Sequence, residues 1–145
     1  MKVSGKYYDE TKQSIVTVQN KQGIYTGIAK LHPNDTPNEI IGCNIAENRA
    51  IRKMFKAKIS TEKIKIKALK SFRTEIINYI KQIKDTIPFD TVTSDIIIQR
   101  LDYAIKSYNC DIEEMKKSII LLQEFEENQK KIREKIRSKM NKVSK

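Results

Sequence analysis

The sequence predicts an α+β fold, in which an N-terminal three-stranded antiparallel meander packs on one helix and a long C-terminal helical hairpin or coiled coil follows. Two patterns support this prediction: short β-branched runs separated by polar turns, and then apolar residues at helical spacing over most of the chain. Turns this short cannot form parallel crossovers. The expected units are a βββα domain at 1–59, a helical hairpin at 60–140 and a basic tail at 141–145.

The three strands are predicted from residue type and from the turns between them. Residues 2–8 contain one valine and two tyrosines, residues 14–19 are dense in β-branched side chains, and residues 24–32 form the third strand. The turn at residues 20–23 ends in Gly23, a residue available for a positive φ. A sheet of three strands needs a cover on one face, and the next helix is expected to supply it.

The first helix has a strong start signal. Thr36 and Glu39 have capping-box spacing, and Pro37 lies at the first helical position, where its missing N–H costs nothing. The apolar residues expected on its buried face are Ile40, Ile41, Ile45, Ala50, Ile51, Met54 and Phe55.

The remainder predicts helices at about 61–86, 94–108 and 111–140. Pro88 ends the first of them, because the residue before a proline avoids the α region. Ser94 is the expected N-cap of the next helix.

Asp111 leaves two alternatives open for the C-terminal segment. It can cap a new helix, or the apolar series on both sides can continue as one long bent helix. The stretch 111–127 is locally acidic, and we expect it to pair antiparallel with the basic helix at 63–84.

Composition limits the function classes. The chain has 145 residues, a formal net charge of +11 and no apolar run long enough to span a bilayer. The N-terminus lacks the apolar core of a signal peptide, so a cytoplasmic location is expected. Cys43 and Cys110 are read as reduced, small core residues. The charge favours a polyanionic partner: nucleic acid, an anionic membrane surface or an acidic protein. A membrane is not expected as the partner, because no bulky aromatic residue follows Phe125 in the basic C-terminal segment.

Positive charge is concentrated in one quarter of the sequence. Residues 49–84 contain twelve Lys or Arg and two Asp or Glu. The first four cations have i, i+3, i+4, i+7 spacing, which predicts a basic stripe on one helix face, although an ordinary solvated face has the same pattern. The residues predicted to contact phosphates are Arg49, Arg52, Lys53, Lys56, Lys63, Lys67, Lys70 and Arg73.

No catalytic, metal or cofactor motif is present, and an enzyme is not expected. His32 is the one histidine and is read as a loop residue. A His32–Cys43 pair is conceivable, but Cys43 on the helix is better explained by core packing.

One segment resembles a known group of proteins. The matching residues are Gly27-Ile28-Ala29, Pro33-Asn34-Asp35, Gly42, Ile45-Ala46 and Arg49-Ala50. Over residues 23–56 the chain resembles small, mostly uncharacterised phage and prophage proteins of low-GC Gram-positive bacteria. The βββα unit is also similar to the double-stranded-RNA-binding fold without its first helix, but it lacks that family's basic Lys-Lys-x-Ala-Lys helix start. The phage resemblance implies an accessory role. Inhibition of a host defence, of the anti-CRISPR type, is one known function of such small proteins.

Three functions follow as hypotheses. The first is a non-enzymatic protein that binds nucleic acid or nucleoprotein through the basic helical face, interfering with a host nucleic-acid-directed defence. The second is a protein inhibitor or assembly factor that acts through the helical hairpin, with a homodimer through residues 61–140. The third is a pocket for a nucleotide-like ligand between the loop at 33–36 and Arg49.

Overall fold

The computed structural model describes residues 1–31, 39–83 and 91–143. It has three strands, β1 (Lys2–Tyr8), β2 (Gln13–Asn20) and β3 (Gly23–Lys30), followed by two helices, α1 (Glu39–Ile83) and α2 (Thr91–Val143). The predicted α+β class, with a strand meander and a helical hairpin, is confirmed.

The sheet has the order β1-β2-β3, and both strand pairs are antiparallel. In the turn between β2 and β3, the Asn20 Oδ1 accepts hydrogen bonds from the backbone N–H groups of Gln22 and Gly23, at 2.8 and 3.0 Å. This side chain organises the turn. Gly23 does not adopt a positive φ in this turn. A positive φ of 53° occurs at Lys12, in the turn between β1 and β2.

The core lies between the sheet and the first turns of α1. Alternate residues of β2 point toward the helix, as the two-residue period of a strand requires. The buried apolar residues of this core are Val16, Val18, Ala29, Ile41, Ile45, Ala46, Ala50 and Met54. Ile51, Phe55 and Cys43 pack against it as half-buried residues. The predicted face was wrong at Ile40, which is 75% exposed.

β3 approaches α1 closely because Gly27 has no side chain. A Cβ at Gly27 would overlap the Ala46 carbonyl oxygen and lie 2.6 Å from the Ala50 nitrogen. Both alanines are completely buried. Three small residues thus allow the strand backbone to lie directly on the helix backbone, which fixes where the side chains of α1 meet the edge of the sheet.

The two helices are longer than the sequence predicted. A helix boundary near residue 60 was wrong, because α1 continues without interruption to Ile83. α2 begins at Thr91, three residues before the expected cap at Ser94, and it passes through Asp111 without a break. Of the two alternatives, one continuous helix is correct. Cys110 is exposed rather than part of the core.

Several sequence predictions lie outside the described residues. These are the capping-box threonine and the N1 proline of the first helix, the loop histidine, the proline expected to end the second helix, and the last two residues of the predicted basic tail. The remainder of that tail, residues 141–143, belongs to α2.

Two compact units make up the chain. The first consists of Met1–Ala57 together with Lys117–Lys145, and the second of Lys58–Lys116. The first unit therefore contains the sheet, the start of α1 and the end of α2. The domain boundary predicted at 59/60 lies near Ala57, where the N-terminal part of the first unit ends. The prediction did not include the C-terminal part of α2 in this unit.

Candidate anion-binding site

Four predicted cations of α1 surround one open cavity in the first unit. Arg49, Arg52, Lys53 and Lys56 line it together with Ile28 of β3, and its volume is about 270 Å³. The helical spacing of these residues places them on one face, as the sequence indicated. The structure thus brings together the first half of the predicted set.

A buried carboxylate lies behind the two arginines. Glu126 of α2 is 6% exposed. Its Oε1 accepts from Arg49 Nε at 2.5 Å, and its Oε2 accepts from Arg52 Nη2 at 2.7 Å. Each carboxylate oxygen therefore has its own guanidinium partner, which is the arrangement a buried charge requires.

The pKa of Glu126 reflects the competition between burial and these partners. Burial raises the pKa of the carboxyl group. The Arg49 hydrogen bond and the positive charges of Arg49, Arg52 and Lys130 together lower this pKa by more than burial raises it. The net result is a pKa below the usual value for glutamate. The carboxylate is therefore charged at neutral pH and holds both arginines.

Asn48 fixes the second arginine and also joins α1 to α2. Its Oδ1 accepts from Arg52 Nε at 2.9 Å, and its Nδ2 donates to the Leu122 carbonyl at 2.5 Å. Asn48 is itself 3% exposed. A buried amide that is bonded on both sides holds the Arg52 head group in one position, so little side-chain entropy remains to be lost when an anion binds.

Two further cations reach the edge of the sheet. Arg49 Nη1 donates to the Ile28 carbonyl, and Lys53 Nζ donates to the Thr26 carbonyl, both at 2.7 Å. These strand residues are two positions apart, so their carbonyls point to the same side of β3. Leu31 N donates to the Lys12 carbonyl at 2.8 Å, so the odd-numbered residues of β3 are the ones bonded to β2, and these two carbonyls point away from β2. That side is the outer edge of the sheet among the described residues. Carbonyls are neutral, so these bonds orient the cations without cancelling their charge.

The cavity keeps a positive charge after its internal pairing. Arg49 and Arg52 share the one carboxylate of Glu126, and Lys53 and Lys56 are exposed. Among the bonds of the described residues, each guanidinium uses two of its three nitrogens, which leaves Nη2 of Arg49 and Nη1 of Arg52 as donors. An anion entering this cavity meets oriented donors and a charge excess.

The other predicted cations lie in the second unit and form a different surface. Lys63, Lys67 and Lys70 line an open groove of about 400 Å³ on α1. Arg73 is not among the lining residues; its Nε donates to Asp102 Oδ1 at 2.7 Å.

Charge is distributed unequally between the two units. The first unit contains 18 Lys or Arg and 9 Asp or Glu, whereas the second contains 11 Lys or Arg and 9 Asp or Glu. The basic excess read along residues 49–84 is therefore compensated in the second unit by acidic residues of other segments. The net charge lies almost entirely in the first unit, which also holds the cavity.

The ion pairs of the acidic stretch at residues 111–127 differ from those predicted with the basic segment. The basic segment 63–84 was expected to face residues 111–127. In the second unit, Lys65 Nζ lies 5.7 Å from the centre of the Tyr108 ring, and Arg73 bonds Asp102. Of the acidic stretch, Glu126 instead binds the earlier arginines Arg49 and Arg52.

Comparisons with protein-family models, curated proteins and solved structures found no match. The residues themselves therefore carry the functional argument. Among the described residues, no group of three or more His, Cys, Asp or Glu could hold a metal ion. None of the described helical segments is long and apolar enough to cross a membrane.

Sequence reasoning missed Glu126 and Asn48. Both are polar residues at inward-facing helical positions: Glu126 follows the half-buried Leu122 by four residues, so a carboxylate interrupts the buried face of α2. A charged residue in an apolar series requires a partner of opposite charge. That rule predicts a buried ion pair, but the identity of the partners, 74 and 77 residues away, follows only from the fold.

Proposed function

We propose that this protein binds a polyanion, either nucleic acid or a nucleoprotein, through the basic cavity of its first unit, and that it does so without catalysing a reaction. The observation that carries the proposal is the cavity lined by Arg49, Arg52, Lys53 and Lys56, with the single carboxylate of Glu126 behind it. In the described part of the chain, each of the two arginines keeps one terminal nitrogen for a phosphate oxygen. Such hydrogen bonds are stronger than neutral ones because both donor and acceptor are charged.

The shape of the cavity favours a polymer over an enclosed small molecule. The cavity is open to solvent, whereas small-ligand sites bury most of their ligand's surface. A phosphate of an extended backbone needs no enclosure, because neighbouring phosphates find cations on the surrounding surface. The nucleotide-like ligand remains the alternative, and nucleotides would then raise the melting temperature in a thermal-shift assay.

The basic end of α2 supports the same proposal. Residues 129–145 contain eight Lys or Arg and one Glu, and this segment belongs to the first unit. These cations add to the positive charge of the unit that holds the cavity. The lysines at 63, 67 and 70 are a weaker part of the proposed interface, because the charge of the second unit is nearly balanced.

The proposal is tested by the salt dependence of binding. Affinity for labelled duplex DNA and RNA is measured by fluorescence anisotropy across a series of salt concentrations. The expected slope of log K against log salt is about −0.9 for each phosphate contacted on duplex DNA. K53A/K56A should therefore make the slope shallower by about 2 units and weaken binding at low salt.

Two matched variants separate the site from net charge. K2A/K21A removes the same charge from exposed positions of the first unit, and K63A/K67A removes it from α1 in the second unit. Both should lower affinity less than K53A/K56A. An equal loss in all three variants would mean that only net charge matters. Binding that is independent of salt would refute polyanion binding altogether.

The proposed biological setting is that of a phage accessory protein that interferes with a host nucleic-acid-directed defence. A pull-down from host lysate, run in parallel with and without nuclease, tests it. Loss of the captured host proteins after nuclease treatment indicates that nucleic acid is the direct target. Capture that persists indicates instead the second hypothesis, a protein inhibitor or assembly factor acting through the helical hairpin.

A further inference from the structure

A second apolar stripe runs along α2 on a face that the first unit leaves exposed. Leu121, Phe125, Ile132 and Ile136 are 64%, 44%, 45% and 40% exposed, respectively. At 100° per residue all four lie within a sector of about 60°. The buried Glu126 lies outside this sector, so the stripe is distinct from the face that contacts α1.

The first part of the stripe has the spacing of a coiled-coil seam with one polar position, and Ile136 lies one residue past the next seam position, Lys135. The steps from Leu121 to Phe125, then to Asn128 and then to Ile132, are four, three and four residues, which is the a/d pattern of a heptad repeat. Asn128 is exposed and occupies the middle of the seam. A single Asn at such a position sets register and partner choice in coiled coils at a cost in stability.

Charge divides the same segment into two opposite halves. The N-terminal half, residues 121–127, carries the exposed Glu124 and Glu127 besides the buried Glu126 and has no Lys or Arg, whereas the C-terminal half, residues 130–136, carries four Lys or Arg and one glutamate. Two copies aligned in parallel would place like charges beside each other. Two antiparallel copies would place each acidic half against a basic half.

We propose that this stripe binds a second copy of the chain, antiparallel, with Asn128 at the two-fold axis. Leu121 then packs against Ile136 of the other copy, and Phe125 packs against Ile132. Glu124 of each copy faces Lys131 of the other at the flanking positions of the seam. With Asn128 on the axis, the members of each pair differ by one residue in height, or about 1.5 Å along the helix, so one register brings all of these pairs side by side.

The expected dimer is weak. The seam covers about 16 residues, or about 24 Å of helix, which is short for a coiled coil. An interface of this size lies near the lower limit of specific association. We therefore expect a monomer–dimer equilibrium within the range of about 1 µM to 1 mM, which is the range to cover by sedimentation velocity.

A charge-reversal cycle tests the occupant and its orientation together. E124K places lysines opposite each other at both symmetric positions and should weaken the dimer by about tenfold. K131E should do the same by opposing two glutamates. The double variant E124K/K131E restores opposite charges only when the partner is an antiparallel second copy, so its dimerisation should return to that of the unmodified chain. Circular dichroism confirms that each variant keeps its helix content.

Cross-linking tests the position of the axis. In a C43A/C110S background, N128C should form a disulfide-linked dimer under mild oxidation, because the two copies of residue 128 face each other. L121C is the matched control and should not cross-link, since residue 121 faces residue 136. A chain that stays monomeric throughout the concentration range overturns the proposal. Equal cross-linking of both variants, or no rescue by the double charge reversal, also overturns it.

Discussion

Replacing Glu126 with glutamine should lower stability and raise polyanion affinity at the same time. Glutamine keeps the shape of the side chain but removes the charge that Arg49 and Arg52 share. The folded chain then contains two adjacent guanidinium groups without a carboxylate. These two consequences have opposite signs because the carboxylate organises the site and also neutralises part of its charge.

The magnitude follows from the burial of the three side chains. Removing one partner of a fully buried ion pair costs about 3–5 kcal/mol. Glu126 is buried, but the side chains of Arg49 and Arg52 are 36% and 15% exposed, so solvent screens part of the loss. We expect E126Q to reduce the free energy of unfolding by about 2–3 kcal/mol. For a chain of this length, that corresponds to a fall of about 10 °C in melting temperature.

The pH dependence has a defined direction. Because the folded-state pKa of Glu126 is lowered, its contribution to stability is present above the ordinary glutamate pKa and is lost as the pH falls through the folded-state value. The difference in stability between the unmodified chain and E126Q should therefore shrink in acid. Thermal unfolding followed by circular dichroism at neutral and acidic pH measures it.

Polyanion binding by the same variant is measured by anisotropy. Loss of one negative charge beside the cavity should tighten binding at low salt, and the gain should shrink as the salt concentration rises and screens the charge. E127Q is the control, because the side chain of Glu127 is 64% exposed and its 3.6 Å contact with Lys130 is a surface pair. An E126Q melting temperature equal to that of E127Q would refute the assignment of Glu126 as the residue that holds the arginines.

Two further changes test the packing of each unit. G27A should destabilise the first unit by about 1–3 kcal/mol or more in chemical denaturation, since its Cβ would overlap the Ala46 carbonyl. G23A is the control and should be nearly neutral in the same assay, because its Cβ would meet only side-chain atoms at 3.5 Å or more. E62Q should raise the melting temperature at neutral pH, because burial and the nearby Asp111 raise the pKa of Glu62 and its Oε2 has no hydrogen-bond partner among the described residues. Its gain should vanish below pH about 3.5, where the carboxyl group is neutral in both states, and a gain that persists there would contradict this explanation.

The strands and the first helical face were predictable because their signals are local. β-Branched residues in β2 and the polar turn at residues 20–23 define a hairpin without knowledge of the rest of the chain. The helical period of the basic stripe placed Arg49 and Lys56 on one face, and the cavity lies there. Hydrophobic periodicity and residue type belong to a short segment, so the sequence of that segment alone is enough to predict its structure.

The features that sequence reasoning missed depend on residues far apart in the chain. Charge counted along residues 49–84 gave a strong basic excess, but eight of those twelve cations lie in a unit whose other segments supply most of the acids. Similarly, Glu126 was counted as part of an acidic stretch, although its partners are Arg49 and Arg52. The helix boundary wrongly predicted near residue 60 has a local cause instead. The alternating Ile and Lys residues there fit either the start or the interior of a helix, and no Gly or Pro distinguishes the two.

The bonds from Arg49 and Lys53 to the carbonyls of β3 have a consequence for solubility. A strand at the border of a sheet presents unpaired backbone groups that can recruit a strand from another molecule and begin aggregation. Here two positively charged side chains occupy successive carbonyls of that border, at Ile28 and Thr26. An approaching strand must displace both cations. The same residues that we propose attract polyanions thus also protect the β3 edge of the meander from pairing with a strand of another molecule.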